Sequence, residues 1–110
     1  MKNLIFVLSM LPILVGCSWA QQGAILSAYE AIERGNCIAA YRELSGAEKI
    51  ADITPQLAAE ITYLRGTCLE IENKDQEAIG QYLYLIKTYP NSEYASRAVE
   101  KVSAANSQEE

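Results

Sequence analysis

Shifted by 38 residues, the chain matches itself, and this self-match constrains the fold more than any other feature of the sequence. Ile25 falls on Tyr63, Ala28 on Gly66, Ala40 on Ala78 and Leu44 on Tyr82. Small residues thus recur where two helices must approach closely, with larger apolar residues recurring beside them. The apolar spacing is helical throughout, and no alternating stretch is long enough to argue for a sheet. The expectation is an all-α chain: two helix pairs followed by a C-terminal helix. A helical pattern alone does not specify a stacked array, so a non-repeat helical bundle stays open at this point.

Start and stop signals divide the chain further. A first helix over 24–34 is stopped by Gly35-Asn36, and Asn36 can cap a second over 37–50. Thr54 as N-cap with Pro55 at the first helical position starts a third, running to about Glu72. Asn73-Lys74-Asp75 turns the chain into a fourth helix ending near Tyr89. Pro90-Asn91-Ser92 then breaks it, with Ser92 capping a last helix to about Ala105 and a polar tail over 106–110 expected to fray.

On these residues the second copy resembles a tetratricopeptide repeat, with Gly66 and Ala78 at its small positions, Tyr82 at its large position and Pro90 closing the unit. The segment Tyr89-Pro90-Asn91-Ser92 is similar to the Tyr-Pro-x-Ser pattern of periplasmic repeats. Such repeats occur in the outer-membrane β-barrel assembly lipoprotein and in the Tol-Pal cell-wall coordinator. The resemblance implies a short tetratricopeptide-like array of helical hairpins whose inner face binds protein segments. Departures from the pattern are Leu69 and Leu85 in place of the usual aromatic and small residues. The first copy also lacks the closing proline, and its loop is expected to be longer.

A second resemblance concerns the N-terminus. Lys2 precedes an apolar stretch from Leu4 to Val15 interrupted only by Ser9 and Pro12, which reads as a secretion signal. Leu14-Val15-Gly16-Cys17 closes it and resembles the lipobox of bacterial lipoproteins. That resemblance implies cleavage after residue 16, a lipidated Cys17 and a tether over 17–22 leading into a helical domain over 23–105. Several acyl chains make a stable anchor where one binds only marginally. Ser18 lacks the aspartate associated with inner-membrane retention, so the implied location is the outer membrane, facing the periplasm. Trp19, in the tether, suits the lipid interface.

With Cys17 assigned to lipid, Cys37 and Cys68 remain as a pair in an oxidising compartment. Their midpoint falls inside Asp52-Ile53-Thr54-Pro55, the turn between the second and third helices, so folding about that turn brings them level. A disulfide is the expectation. The competing readings are a reactive thiol, favoured by Cys37 at a helix N-terminus, and a metal pair. No C-x-x-C motif and no histidine is present to complete a typical zinc site.

Charge and chemistry narrow the function. Without Lys2 the formal net charge of −5 becomes −6, which disfavours nucleic acid and anionic headgroups as partners. The absence of histidine excludes Ser-His and Cys-His dyads, and no G-x-S-x-G or G-x-x-x-x-G-K motif occurs. The acidic run from Glu70 to Glu77 lacks the alternating ligands and central glycine of an EF-hand. No enzyme activity, cofactor, metal or small-molecule substrate is expected.

Seven tyrosines offer the alternative to catalysis. Projected on the repeat, Tyr29, Tyr63 and Tyr94 share an inner face, with Glu33, Glu60, Glu70, Arg97 and Lys101 around them. Such a face suits a peptide, because tyrosine gives contact area at small entropic cost together with a hydroxyl. Plain core packing is the competing reading for the same residues. Two function classes follow: a small scaffold or adaptor docking proteins in a cell-envelope complex, or a pilotin or chaperone-like carrier of a secreted or outer-membrane client.

Overall fold

The computed structural model describes residues 16–50 and 53–108. Residues 1–15 of the expected signal peptide, residues 51 and 52 of the interhelix turn and the last two residues lie outside them. Among the described residues the chain is all-α without strands: α1 (Gly16–Glu33), α2 (Cys37–Ile50), α3 (Pro55–Ile71), α4 (Asp75–Thr88) and α5 (Glu93–Gln108). The helices form a short array of hairpins, α1 with α2 and α3 with α4, closed by α5 against α4 and α3. Among the described residues α2 and α4 do not touch, and α3 joins the array by packing on α1, α2 and α5 as well as on α4.

The 38-residue repeat holds to single-residue register in the backbone. Gly35 and Asn73 are 38 apart, and both take left-handed φ, 71° and 62°. Each sits past a helix end, where glycine or asparagine relieves the Cβ clash that other residues would suffer. The hydrogen bonds repeat with them. Asn36 N–H donates to Ala31 O at 2.8 Å and Gly35 N–H to Ile32 O at 2.9 Å. In the second hairpin Lys74 N–H donates to Leu69 O at 2.8 Å and Asn73 N–H to Glu70 O at 3.0 Å. These 6→1 and 5→2 bonds satisfy the last carbonyls of α1 and α3, which is why both hairpins turn alike.

Helix starts obey the same logic. Asn36 Oδ1 accepts from Ala39 N–H at 3.1 Å to open α2, and Thr54 Oγ1 accepts from Leu57 N–H at 3.1 Å to open α3. Ser92 Oγ accepts from Tyr94 N–H at 3.1 Å ahead of α5. Two boundaries differ from expectation. The segment 17–22 is not a separate tether but the start of α1, held onto α2 by a bond from Gln21 Nε2 to Ala47 O at 3.4 Å. No proline interrupts it, and the repeat register carried back from Pro55 falls on Cys17. At the other end α5 continues through 106–108, where Ser107 Oγ donates to Ser103 O.

Packing explains why the self-match takes the residues it does. Ala28 and Leu44 are buried in one apolar cluster with Ile25, Ala47, Ile61 and Leu64. At the matching places Gly66 faces Tyr82, the largest fully buried side chain. A larger ring in the second hairpin is thus accommodated by a smaller partner. A Cβ on Gly66 would stand 2.5 Å from Cε1 and 2.9 Å from Cζ of Tyr82. Gly66→Ala is accordingly expected to cost about 1–3 kcal/mol by overpacking. Gly80→Ala, on the exposed side of α4 with nothing within 4 Å of the new Cβ, should be neutral or stabilising. Urea denaturation of both variants checks this, and equal midpoints would refute the close-approach account.

The two hairpins meet where α3 packs on α1 and α2, through the apolar cluster that joins Ile61 and Leu64 to Ile25, Ala28, Leu44 and Ala47, reinforced by covalent and polar ties. Cys37 and Cys68 pair as a disulfide with Cα atoms 5.5 Å apart, both buried beside Ala31 and Ala40. Tyr41 Oη donates to Glu72 Oε1 at 2.5 Å, and Arg65 holds Glu48 with two bonds of 2.6 and 2.9 Å.

Candidate functional site

A groove of about 580 Å³ opens on the side of the array formed by the first helices of each pair. Its floor is the start of α3, with Gln56, Leu57 and Glu60. One wall is α1, with Gln22, Leu26 and Tyr29, and the other is the start of α5, with Glu93 and Tyr94. The groove exists because α1, α3 and α5 stack side by side with a contact offset of 31 residues. Tyr29 meets Glu60, Tyr63 meets Tyr94, and Glu70 meets Lys101, each pair 31 apart. That offset is 7 residues short of the sequence repeat, two helical turns.

The offset decides which expected residues gather. Tyr29 Oη donates to Glu60 Oε1 at 2.7 Å, and the Tyr94 hydroxyl lies within hydrogen-bonding reach of Tyr29. Tyr29, Glu60 and Tyr94 therefore form one polar cluster at the mouth of the groove. The Arg97 guanidinium stands 5.1 Å over the Tyr94 ring, as a cation–π contact, with Glu93 at 3.8 Å.

Tyr63 does not line the groove. Its ring is wedged between those of Tyr82 and Tyr94, with both centroid distances 5.7 Å, so it serves interhelix packing, the competing reading of that residue. Lys101 is separate as well: Nζ pairs with Glu70 Oε2 at 3.0 Å, bordering a different cleft between α3, α4 and α5. The Tyr82 hydroxyl reaches toward that cleft, buried and without a hydrogen bond of good geometry, with Thr67 and Glu70 close by. Glu33 is exposed on α1 and not part of the groove. Gln21 and Gln22 of the α1 wall fall in the segment 17–22 expected to be a tether, whereas Ile25 and Leu26 lie in the expected first helix but were not among the expected site residues.

Burial, the Tyr94 hydroxyl and the Glu60 carboxylate together hold the Tyr29 phenol far above its ordinary value, and burial raises Tyr94. Tyr41 and Tyr82 are raised too, chiefly by burial, with Glu72 adding to the effect on Tyr41. At neutral pH these hydroxyls are therefore protonated, and those of Tyr29 and Tyr41 donate to Glu60 and Glu72. The sign for stability follows: folded phenols keep protons that the unfolded chain releases above its value of 10.0, so their contribution is full below that pH and lost above it. Melting temperatures measured by circular dichroism should fall on going from about pH 9 to about pH 11. A flat profile would contradict the burial of these groups.

Among the described residues no group of three or more histidine, cysteine, aspartate or glutamate side chains comes together to hold a metal. What the groove can do is bind: an apolar wall, side-chain amides, hydroxyl donors and two carboxylates suit an extended or helical peptide segment. No protein-family model, curated protein or solved structure matches the chain.

Proposed function

We propose that this chain is a lipoprotein held by lipid on Cys17 at the periplasmic face of the outer membrane, where it docks a segment of an envelope protein as a small scaffold. The observation that carries the binding half of the proposal is the groove between α1, α3 and α5, with Tyr29, Glu60 and Tyr94 clustered at its mouth. The Leu14 to Cys17 lipobox resemblance carries the anchoring half. The two hairpins and closing helix are the architecture that the tetratricopeptide resemblance implies, and a concave face of this kind supports a docking role. Among the described residues no helix is long and apolar enough to cross a membrane.

Crosslinking in membranes, followed by pull-down and mass spectrometry, tests the reading. Tyr94→Ala and Tyr29→Ala should each weaken capture about 30-fold, the equivalent of a hot-spot loss near 2 kcal/mol. Both should keep their helical circular dichroism, whereas Tyr63→Ala should also lower the melting temperature because its ring fills the space between Tyr82 and Tyr94. Undiminished capture by folded Tyr29→Ala and Tyr94→Ala would place the partner elsewhere. Long-lived residence in one complex marks a scaffold; brief association with unassembled clients would mark the pilotin-like carrier instead.

A further inference from the structure

Among the described residues the outward face of α1 is exposed at Trp19, Leu26, Glu30 and Glu33, and its chemistry changes along its length. Trp19 and Leu26 are seven residues apart and lie on one line of the helix, opposite the buried line of Ile25, Ala28 and Ala31. They are 71% and 61% exposed. No charged residue occurs from Ser18 to Tyr29, whereas Glu30 and Glu33 continue the same outward face. The other end of the array is finished differently. The free side of α5 shows Ser96, Arg97, Glu100 and Ser103 around a single exposed large apolar residue, Val99, as a water-facing cap would.

We propose that the first three turns of α1 lie along a phospholipid surface, with Trp19 and Leu26 inserted at the headgroup boundary and Glu30 marking where the helix leaves it. This rests on the reading of Cys17 as the lipid-bearing residue. Because α1 includes residue 17, the lipid-bearing position and the apolar line belong to one helix. Leu26 is nine residues beyond Cys17, about 14 Å along the axis. An upright helix would hold Leu26 that far above the lipid, whereas a recumbent one brings both side chains within the roughly 5–10 Å depth that amphipathic interfacial helices reach. Tryptophan suits that depth, having an apolar ring and one N–H donor. The acidic balance of the chain selects a zwitterionic surface over an anionic one. Gln22 and Leu26 also edge the groove, so its α1 rim would face the membrane plane and receive segments approaching along it.

The test uses the lipidated protein in phosphatidylethanolamine–phosphatidylcholine vesicles containing lipid with a nitroxide at a shallow acyl position. Trp19 is the sole tryptophan, but a residue so near the anchor would be quenched even on a loose tether. The informative reporters are Trp19→Phe combined with Leu26→Trp, and Trp19→Phe combined with Leu83→Trp, the latter on the exposed side of α4. The first is expected to be quenched several-fold more than the second, with blue-shifted emission. Flotation of each variant comes first: protein that does not float overturns the anchor and the seating together, while floating protein with equal quenching at both positions overturns the seating alone. A blue-shifted but unquenched reporter at position 26, with a dimeric mass in detergent, would also overturn it by assigning the face to a second copy of the chain.

Discussion

Cys17→Ser is expected to abolish incorporation of an alkyne fatty acid and to release the protein from membranes. A serine hydroxyl cannot form the diacylglyceryl thioether, and without it no acyl chains are attached. The remaining attachment would be the apolar line of Trp19 and Leu26, two side chains whose burial amounts to a few kcal/mol at most. That is comparable to the marginal, reversible binding of a single acyl chain, far below the hold of several. Label retained by the variant at the parental level would overturn the lipoprotein reading. Complete loss of label with continued membrane association would instead point to the groove partner as the retaining element, and pairing Cys17→Ser with Tyr94→Ala separates the two contributions.

Reduction of the Cys37–Cys68 bond is expected to produce the largest loss of stability. The bond closes a loop of 31 residues that the denatured chain would otherwise leave free, worth roughly 3–4 kcal/mol in the chain-entropy account. In a domain of this size that corresponds to a fall of about 12–30 °C in melting temperature. The location adds to the expectation: the bond ties α2 to α3 at the join between the hairpins, beside the apolar cluster in which Ile61 and Leu64 of α3 pack with Ile25, Ala28, Leu44 and Ala47. Helicity should survive reduction at low temperature, with cooperativity between hairpins diminished. Both cysteines are buried, which disfavours the reactive-thiol alternative, and no third ligand stands near for the metal alternative among the described residues. Intact mass after alkylation without reductant, together with melts in the presence and absence of reductant, decides the matter. Two freely alkylated thiols in protein from an oxidising compartment would refute the bond.

The interhelix turns show why part of the candidate site was legible and part was not. Gly35 and Asn73 announce their turns because left-handed φ is a local requirement that few residues meet. The meeting of Tyr29 with Glu60 carries no such announcement. Tyrosines at 29, 63 and 94 suggest one aromatic line, yet the 31-residue offset sends Tyr29 to a carboxylate and presses Tyr63 against Tyr94. A shift of three residues, less than one turn, is enough to change each partner.

By itself the sequence determined what is decided within a few residues or by matching volumes across one hairpin. This includes the helical class, the caps at Asn36, Thr54 and Ser92 and the small and large positions of the repeat. Only the tertiary structure decided how the hairpins slide against each other, and with that the groove, the separation of Lys101 and Glu70 from it, and the absorption of 17–22 into α1. The physical reason is range. Caps and turns satisfy backbone groups nearby in the chain, whereas the offset between α1, α3 and α5 is set by the summed packing of side chains that are close only once both hairpins have formed.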